Sequence, residues 1–167
     1  MFPNESSMSN SFHRPELPDH GLIANLDAND RRLLGNYGEF IPVQAGQTLI
    51  EQGGDQDSLY IVISGVLHVH ADNDNKRTLV ARIEAGESIG EINLFDSGTA
   101  SASVTAKEFS QIWKANRHDL DDFVSSYPEA GSRLLSGLLT VMSRRLRHMN
   151  ERLVGKEIEA AFQSFWT

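Results

Sequence analysis

Apolar and polar positions change their period twice along this chain. Leu22, Ile23, Leu26, Leu33 and Leu34 recur at helical spacing, with Asp27 and Asn29 as capping residues, and predict one or two short helices. From Glu39 to about Ala115 the alternation shortens to that of strands. Residues 40–43, 48–50, 59–63, 66–70 and 78–83 are short β-rich runs, punctuated by Gly46, Gly53-Gly54, Ser64-Gly65, Asp72-Asn73-Asp74-Asn75 and Ala85-Gly86. Short strands at such even spacing predict an antiparallel barrel or jelly roll. Helical spacing returns over 117–126 and again from Pro128, a position where proline starts a helix well.

The last helix carries a second pattern. Leu135, Leu139, Met142, Leu146, Met149 and Leu153 are spaced 4, 3, 4, 3, 4, the seam of a two-stranded coiled coil. Leu134, Leu138 and Val141 widen the stripe at its start, as packing on the chain's own barrel would require. From Met142 onward only the seam remains apolar, flanked by Arg144, Arg145, Arg147, Glu151 and Arg152. The expectation is a homodimer through this helix, with the basic flank solvated. Gly155 is expected to end it, and Ile158, Ala161, Phe162, Phe165 and Trp166 to form a short second apolar face. Three parts follow: a disordered tail over 1–20, rich in Ser, Asn and Pro, one domain with its dimer helix over 21–154, and a short helical extension over 155–167. The fold class is α+β, mainly β: an antiparallel jelly-roll barrel with short N-terminal helices and a long C-terminal dimerisation helix.

Composition narrows the function classes. At 167 residues the chain suits a single domain with its own core, and 40% hydrophobic with 23% charged residues is ordinary for a globular protein. Without cysteine there are no disulfides, thiolate metal sites or cysteine nucleophiles. No apolar run reaches the length of a membrane span and the N-terminus lacks a signal pattern, so no membrane partner and a cytoplasmic location are expected. A net charge of −8 argues against direct DNA binding. His68 and His70 share a strand face, as the ligands of a cupin-like metal protein would, but Asp72-Asn73-Asp74-Asn75 follows and no second histidine motif appears. Neither a metal nor an enzymatic activity is expected.

The most informative segment runs from Ile89 to Ser103. Gly90-Glu91 opens one helical turn with Ile92, Asn93, Leu94 and Phe95, and the small residues Ser97-Gly98-Thr99-Ala100-Ser101-Ala102 lead into a strand. This segment resembles the phosphate-binding cassette of cyclic nucleotide-binding domains. The stretch Asp57-Ser58-Leu59-Tyr60-Ile61-Val62-Ile63-Ser64-Gly65, the turn at Gly46, and Glu84-Ala85-Gly86-Glu87 resemble the same family in the same order. The likeness extends over residues 22–153, to the sensor half of catabolite activator-type regulators and to the nucleotide-binding modules of protein kinase A regulatory subunits.

That resemblance implies a cyclic nucleotide, cAMP or cGMP, as ligand. Glu91 would accept the ribose 2′-hydroxyl proton, Gly90 would admit the sugar closely, and amides from Gly98 to Ala102 would donate to the phosphate. Ser101 and Ser103 would add hydroxyls, while Met149 and Asn150 would meet the base from the long helix. The family's usual Pro-Arg, however, falls on Thr99-Ala100, so the phosphate loses its bidentate cation. Lys76, Arg77, Arg82 and Lys107 are the substitutes in this half of the chain. The outcomes left open are weak nucleotide binding, a less anionic ligand, or a degenerate pocket serving as a dimerisation and interaction module. Too few residues follow Gly155 for the helix-turn-helix reader of the catabolite activators, so the expected output is an unidentified protein partner.

Overall fold

The computed structural model describes residues 15–74 and 76–165, with side-chain environments as far as Ile158. A single 3₁₀ turn, Gly21–Ile23, precedes helix α1 (Ala28–Leu34), which Asp27 caps by accepting from the Asp30 amide at 2.8 Å. Asp27, not Asn29, is the cap. Among the described residues ten strands follow: β1 (Glu39–Val43), β2 (Thr48–Ile50), β3 (Asp55–Gln56), β4 (Ser58–Ser64), β5 (Leu67–Asn73), β6 (Lys76–Ile83), β7 (Ser88–Ile89), β8 (Gly98–Thr99), β9 (Ser103–Ala106) and β10 (Ser110–Asn116). Helix α2 (Glu91–Phe95) separates β7 from β8, and α3 (Arg117–Ser126) and α4 (Pro128–Phe165) close the chain.

The strands form two four-stranded sheets, β1-β10-β4-β7 and β2-β9-β5-β6, and the pair β3-β8; every pairing is antiparallel. This is the expected mainly β, jelly-roll type of architecture. The sequence runs missed β3, β7 and β8, each two residues long and too short to show a period, and passed over β10, whose seven residues are broken up by the polar Gln111 and Lys114.

Strand β4 shows how the core is arranged. Tyr60 and Val62 join Val43, Ile112, Leu67, Ile83 and Val104 in a cluster between the two large sheets. Leu59 and Ile61 point the other way and join Trp113, Phe123, Leu22, Ile23, Leu134 and Leu138, where the helices cover the first sheet. With both faces covered, β4 reads as a continuous apolar run rather than an alternation. The second sheet has one covered face: Leu67 is buried, whereas His68 and His70 are half-buried on the opposite side. Among the described residues no group of three or more His, Cys, Asp or Glu could hold a metal ion.

Two boundaries differ from expectation. The N-terminal tail does not extend to His20, because Leu17 is buried in the helix-side core and His20 Nε2 bonds the Ala85 carbonyl at 3.1 Å. Residues 1–14 lie outside the described part. Nor does Gly155 end α4, which runs unbroken to Phe165; with no steric obstacle near it, one glycine costs a helix only about 1 kcal/mol. Of the expected second apolar face, Ile158 is exposed, and the side chains of Ala161, Phe162, Phe165 and Trp166 fall outside the described residues. Among the described residues no helix is long and apolar enough to cross a membrane.

Candidate functional site

The cassette begins where β7 ends. Gly90 adopts φ +88°, and a Cβ there would stand 2.2 Å from the Ser58 carbonyl oxygen and 2.8 Å from Gln56 Nε2. Only glycine lets the chain turn this tightly against β4. The turn buries the next side chain: Glu91 is 3% exposed, beside Ser88 at 1%. A carboxylate so deeply placed needs a partner. It has one in Arg145 of α4, whose Nη1 donates to Glu91 Oε1 while Nη2 donates to the Ser88 carbonyl oxygen. Burial lowers the Arg145 pKa, an effect that the Glu87 carboxylate opposes.

Two polar atoms remain without protein partners at this spot. Glu91 Oε2 and Ser88 Oγ are buried and unbonded. A buried acceptor left open costs stability, about 1–3 kcal/mol for a neutral group and more for a charged one. Glu91 Oε2 can accept a hydroxyl proton, and Ser88 Oγ can donate or accept.

The rest of the cassette is more closed than expected. Ala100 is buried within the inter-sheet cluster. Its N–H donates to the Gly54 carbonyl and its carbonyl accepts from the Gly53 N–H, both at 2.8 Å. Gly98 and Thr99 form β8 against Gln56 and Asp55. The Ser103 hydroxyl accepts from the Gln52 amide at 2.9 Å. The Ala100 amide, expected to serve a phosphate, is thus spent on the loop's own ladder. Ser101 stays exposed and Ala102 half-buried. Of the α2 residues, Asn93 Nδ2 reaches the Thr99 carbonyl at 3.4 Å and Ile92 is 64% exposed. Arg117 holds the far end of α2, its guanidinium 5.1 Å over the Phe95 ring.

Asn93 thus meets Thr99, Ala100 is tied to Gly53 and Gly54, and Glu91 is tied to Arg145, while Met149 and Asn150 stay exposed on α4 beyond Arg145. The cation at the cassette is none of the four expected. Lys76, Arg77 and Lys107 are exposed, and Arg82 pairs with Glu84 at 2.8 Å. Arg145, placed by sequence on the solvated flank, is instead half-buried in the site. A signal for it existed: Leu134, Leu138 and Val141 mark the barrel-facing stripe, and the next step of the same 4, 3, 4 spacing is 145. Ser88 and Gln56, both buried here, carry no such mark in the sequence.

Comparison with known proteins places the fold in a family. The family model described as "Cyclic nucleotide-binding domain" matches residues 40–127. The "CRP-like cAMP-activated global transcriptional regulator" of Mycobacterium tuberculosis is 29% identical over 109 residues, 65% of this chain and 47% of that protein. "Lysophospholipase nte1" of Aspergillus niger is 30% identical over 91 residues, 54% of this chain and 6% of that protein. The chain thus spans less than half the length of either curated relative. Among solved structures, the Thermus thermophilus Catabolite Activator Protein superposes with a TM-score of 0.72 at 26% identity, covering 79% of this chain and 61% of that one.

Proposed function

Because the chain belongs to the cyclic nucleotide-binding domain family, we propose that it is a non-enzymatic regulatory module that takes cAMP or cGMP at Glu91. In this reading it works as a cytoplasmic homodimer through α4 and passes the signal to a protein partner. One observation carries the ligand proposal: Glu91 is 3% exposed, yet its Oε2 has no partner. A ribose 2′-hydroxyl supplies the donor that this oxygen lacks. Thr99-Ala100 provides no cation for the phosphate, and the Ala100 amide is already bonded, so affinity is expected to be low. A hydrogen bond to a charged group contributes about 1.5–3 kcal/mol, so the lost arginine pair corresponds to tens- to thousands-fold in binding.

Support for the dimer comes from exposed apolar surface. Leu139, Leu146, Met149 and Leu153 are each about 60% exposed, and all lie on the seam. A second reading, a degenerate pocket that binds no nucleotide, is favoured by the closure of the loop around Ala100 and by the arginine already seated on Glu91.

Calorimetric titration with cAMP and cGMP tests the proposal, on the wild type, Glu91→Gln and Ala100→Arg. The expected result is weak wild-type binding, lost in Glu91→Gln and strengthened in Ala100→Arg. Absence of binding by both the wild type and Ala100→Arg refutes the nucleotide reading, and tight wild-type binding refutes the weakening assigned to Ala100.

A further inference from the structure

Helix α4 leaves the barrel at an identifiable point. Leu134 and Leu138 are buried and Val141 packs against the same cluster. From residue 143 to residue 158 every side chain is exposed except one, that of Arg145. Arg145 is therefore the last side chain among these by which α4 is anchored to its own barrel. Its anchor is the cassette: Glu91 Oε1 on α2 and the Ser88 carbonyl at the end of β7.

We propose that Arg145 is a positioning residue that seats α4 on the cassette before any ligand arrives. It fixes the direction in which the helix leaves the barrel. It also holds Glu91 by Oε1, which leaves the buried Oε2 without a protein partner. The second part rests on the function proposed above, whereas the first does not.

The physical case has three steps. The carboxylate is taken from water whereas the Arg145 side chain keeps 39% of its surface exposed, so it is Glu91 that cannot be left without its partner. A planar fork with two N–H groups on two acceptors fixes orientation as well as distance, which a single contact would not. Leverage then magnifies the effect. From Val141 to Leu153 the helix advances about 18 Å, so a change of roughly 10° in its direction moves Leu153 by about 3 Å. That is enough to take a seam residue out of the hole it must fill on a partner helix. The carboxylate that marks the cassette is in this way also the hinge stop of the long helix.

Intrachain distance measurement tests this without nucleotide. The chain has no cysteine, so spin labels can be placed at Lys107→Cys on the barrel and Arg152→Cys on α4, both exposed. Labelled protein diluted with unlabelled protein reports one chain at a time. Position 145 as arginine should give one narrow distribution. Arg145→Gln should broaden it or displace its centre by about 3 Å or more, and Arg145→Lys, which keeps the charge but not the fork, should lie between. Arg145→Gln leaves a lone buried carboxylate and risks misfolding, so the neutral pair Glu91→Gln/Arg145→Met is measured beside it and should show the same change. A distribution in the neutral pair that superimposes on the parent overturns the proposal. Adding cAMP afterwards keeps the two questions separate: no response to nucleotide counts against the function proposed above, while the ligand-free distances decide the role of Arg145.

Discussion

Gly137→Ala is a substitution on which helix propensity and packing disagree in sign. In an exposed helix interior alanine is favoured over glycine by about 1 kcal/mol. At position 137 of α4, however, an added Cβ would lie 2.1 Å from the Leu22 carbonyl oxygen and 3.4 Å from its carbon. Both contacts are backbone, so no side-chain rotation relieves them, and the oxygen must retreat by more than about 1 Å to reach ordinary contact. Retreat separates α4 from the 3₁₀ turn whose Leu22 and Ile23 share the core with Leu134 and Leu138. Overpacking of this kind costs about 1–3 kcal/mol, and loosening the neighbouring contacts adds to it. Set against the propensity gain, the net expectation is a destabilisation of about 1–3 kcal/mol, a fall in Tm of roughly 2–12 °C for a chain of this size.

Gly155 supplies the control on the same helix. Nothing lies within 4 Å of a Cβ there, so Gly155→Ala is expected to leave Tm unchanged or raise it by a few degrees, within about 1 kcal/mol. Urea unfolding followed by circular dichroism, with calorimetry, measures both variants. A Gly137→Ala protein as stable as the parent, or two variants that move in the same direction, would refute the close seating of α4 on the Leu22 turn.

Two further outcomes are expected. Leu139→Asp/Leu146→Asp places charges on the exposed seam and should convert a dimer to a monomer at micromolar concentration by sedimentation, with the melting of the barrel retained; a parent protein already monomeric there removes the seam interpretation. His68 should titrate below the ordinary histidine value of 6.5, because desolvation disfavours its charged form and Lys107, His70 and Arg82 repel it. The unfolded chain therefore takes up this proton first as pH falls. The contribution of His68 to stability is complete above the ordinary histidine range and is lost as pH drops through it. Ring-proton NMR gives the midpoint, and a value at or above the ordinary one contradicts the packing on this sheet face.

What was legible in the sequence was whatever repeats locally. Short β-rich runs between turn residues marked β1, β2, β4, β5 and β6, of which β5 alternates through Leu67-His68-Val69-His70, and the seam spacing marked the exposed stripe of α4. The resemblance of residues 89–103 to the family's cassette marked Gly90-Glu91. The two-residue strands β3, β7 and β8 carry too few positions for any period, so their pairings had no signature. Gly155 misled because a glycine ends a helix only where the chain has another use for the turn, and on a solvated helix it has none.

The sequence by itself determined the family of fold, and it singled out residues 89–103 as the candidate site with the uncharged Thr99-Ala100 in its loop, since these rest on residues within one segment. Tertiary structure decided what surrounds that segment. It put Ala100 into the inter-sheet core, spent its amide on Gly54, and brought Arg145 to Glu91 across 54 residues of chain. Such a pairing has no local period. An arginine on a helix flank reads as solvated until the barrel it leans on is in place. The buried carboxylate of Glu91 then makes that arginine its required partner.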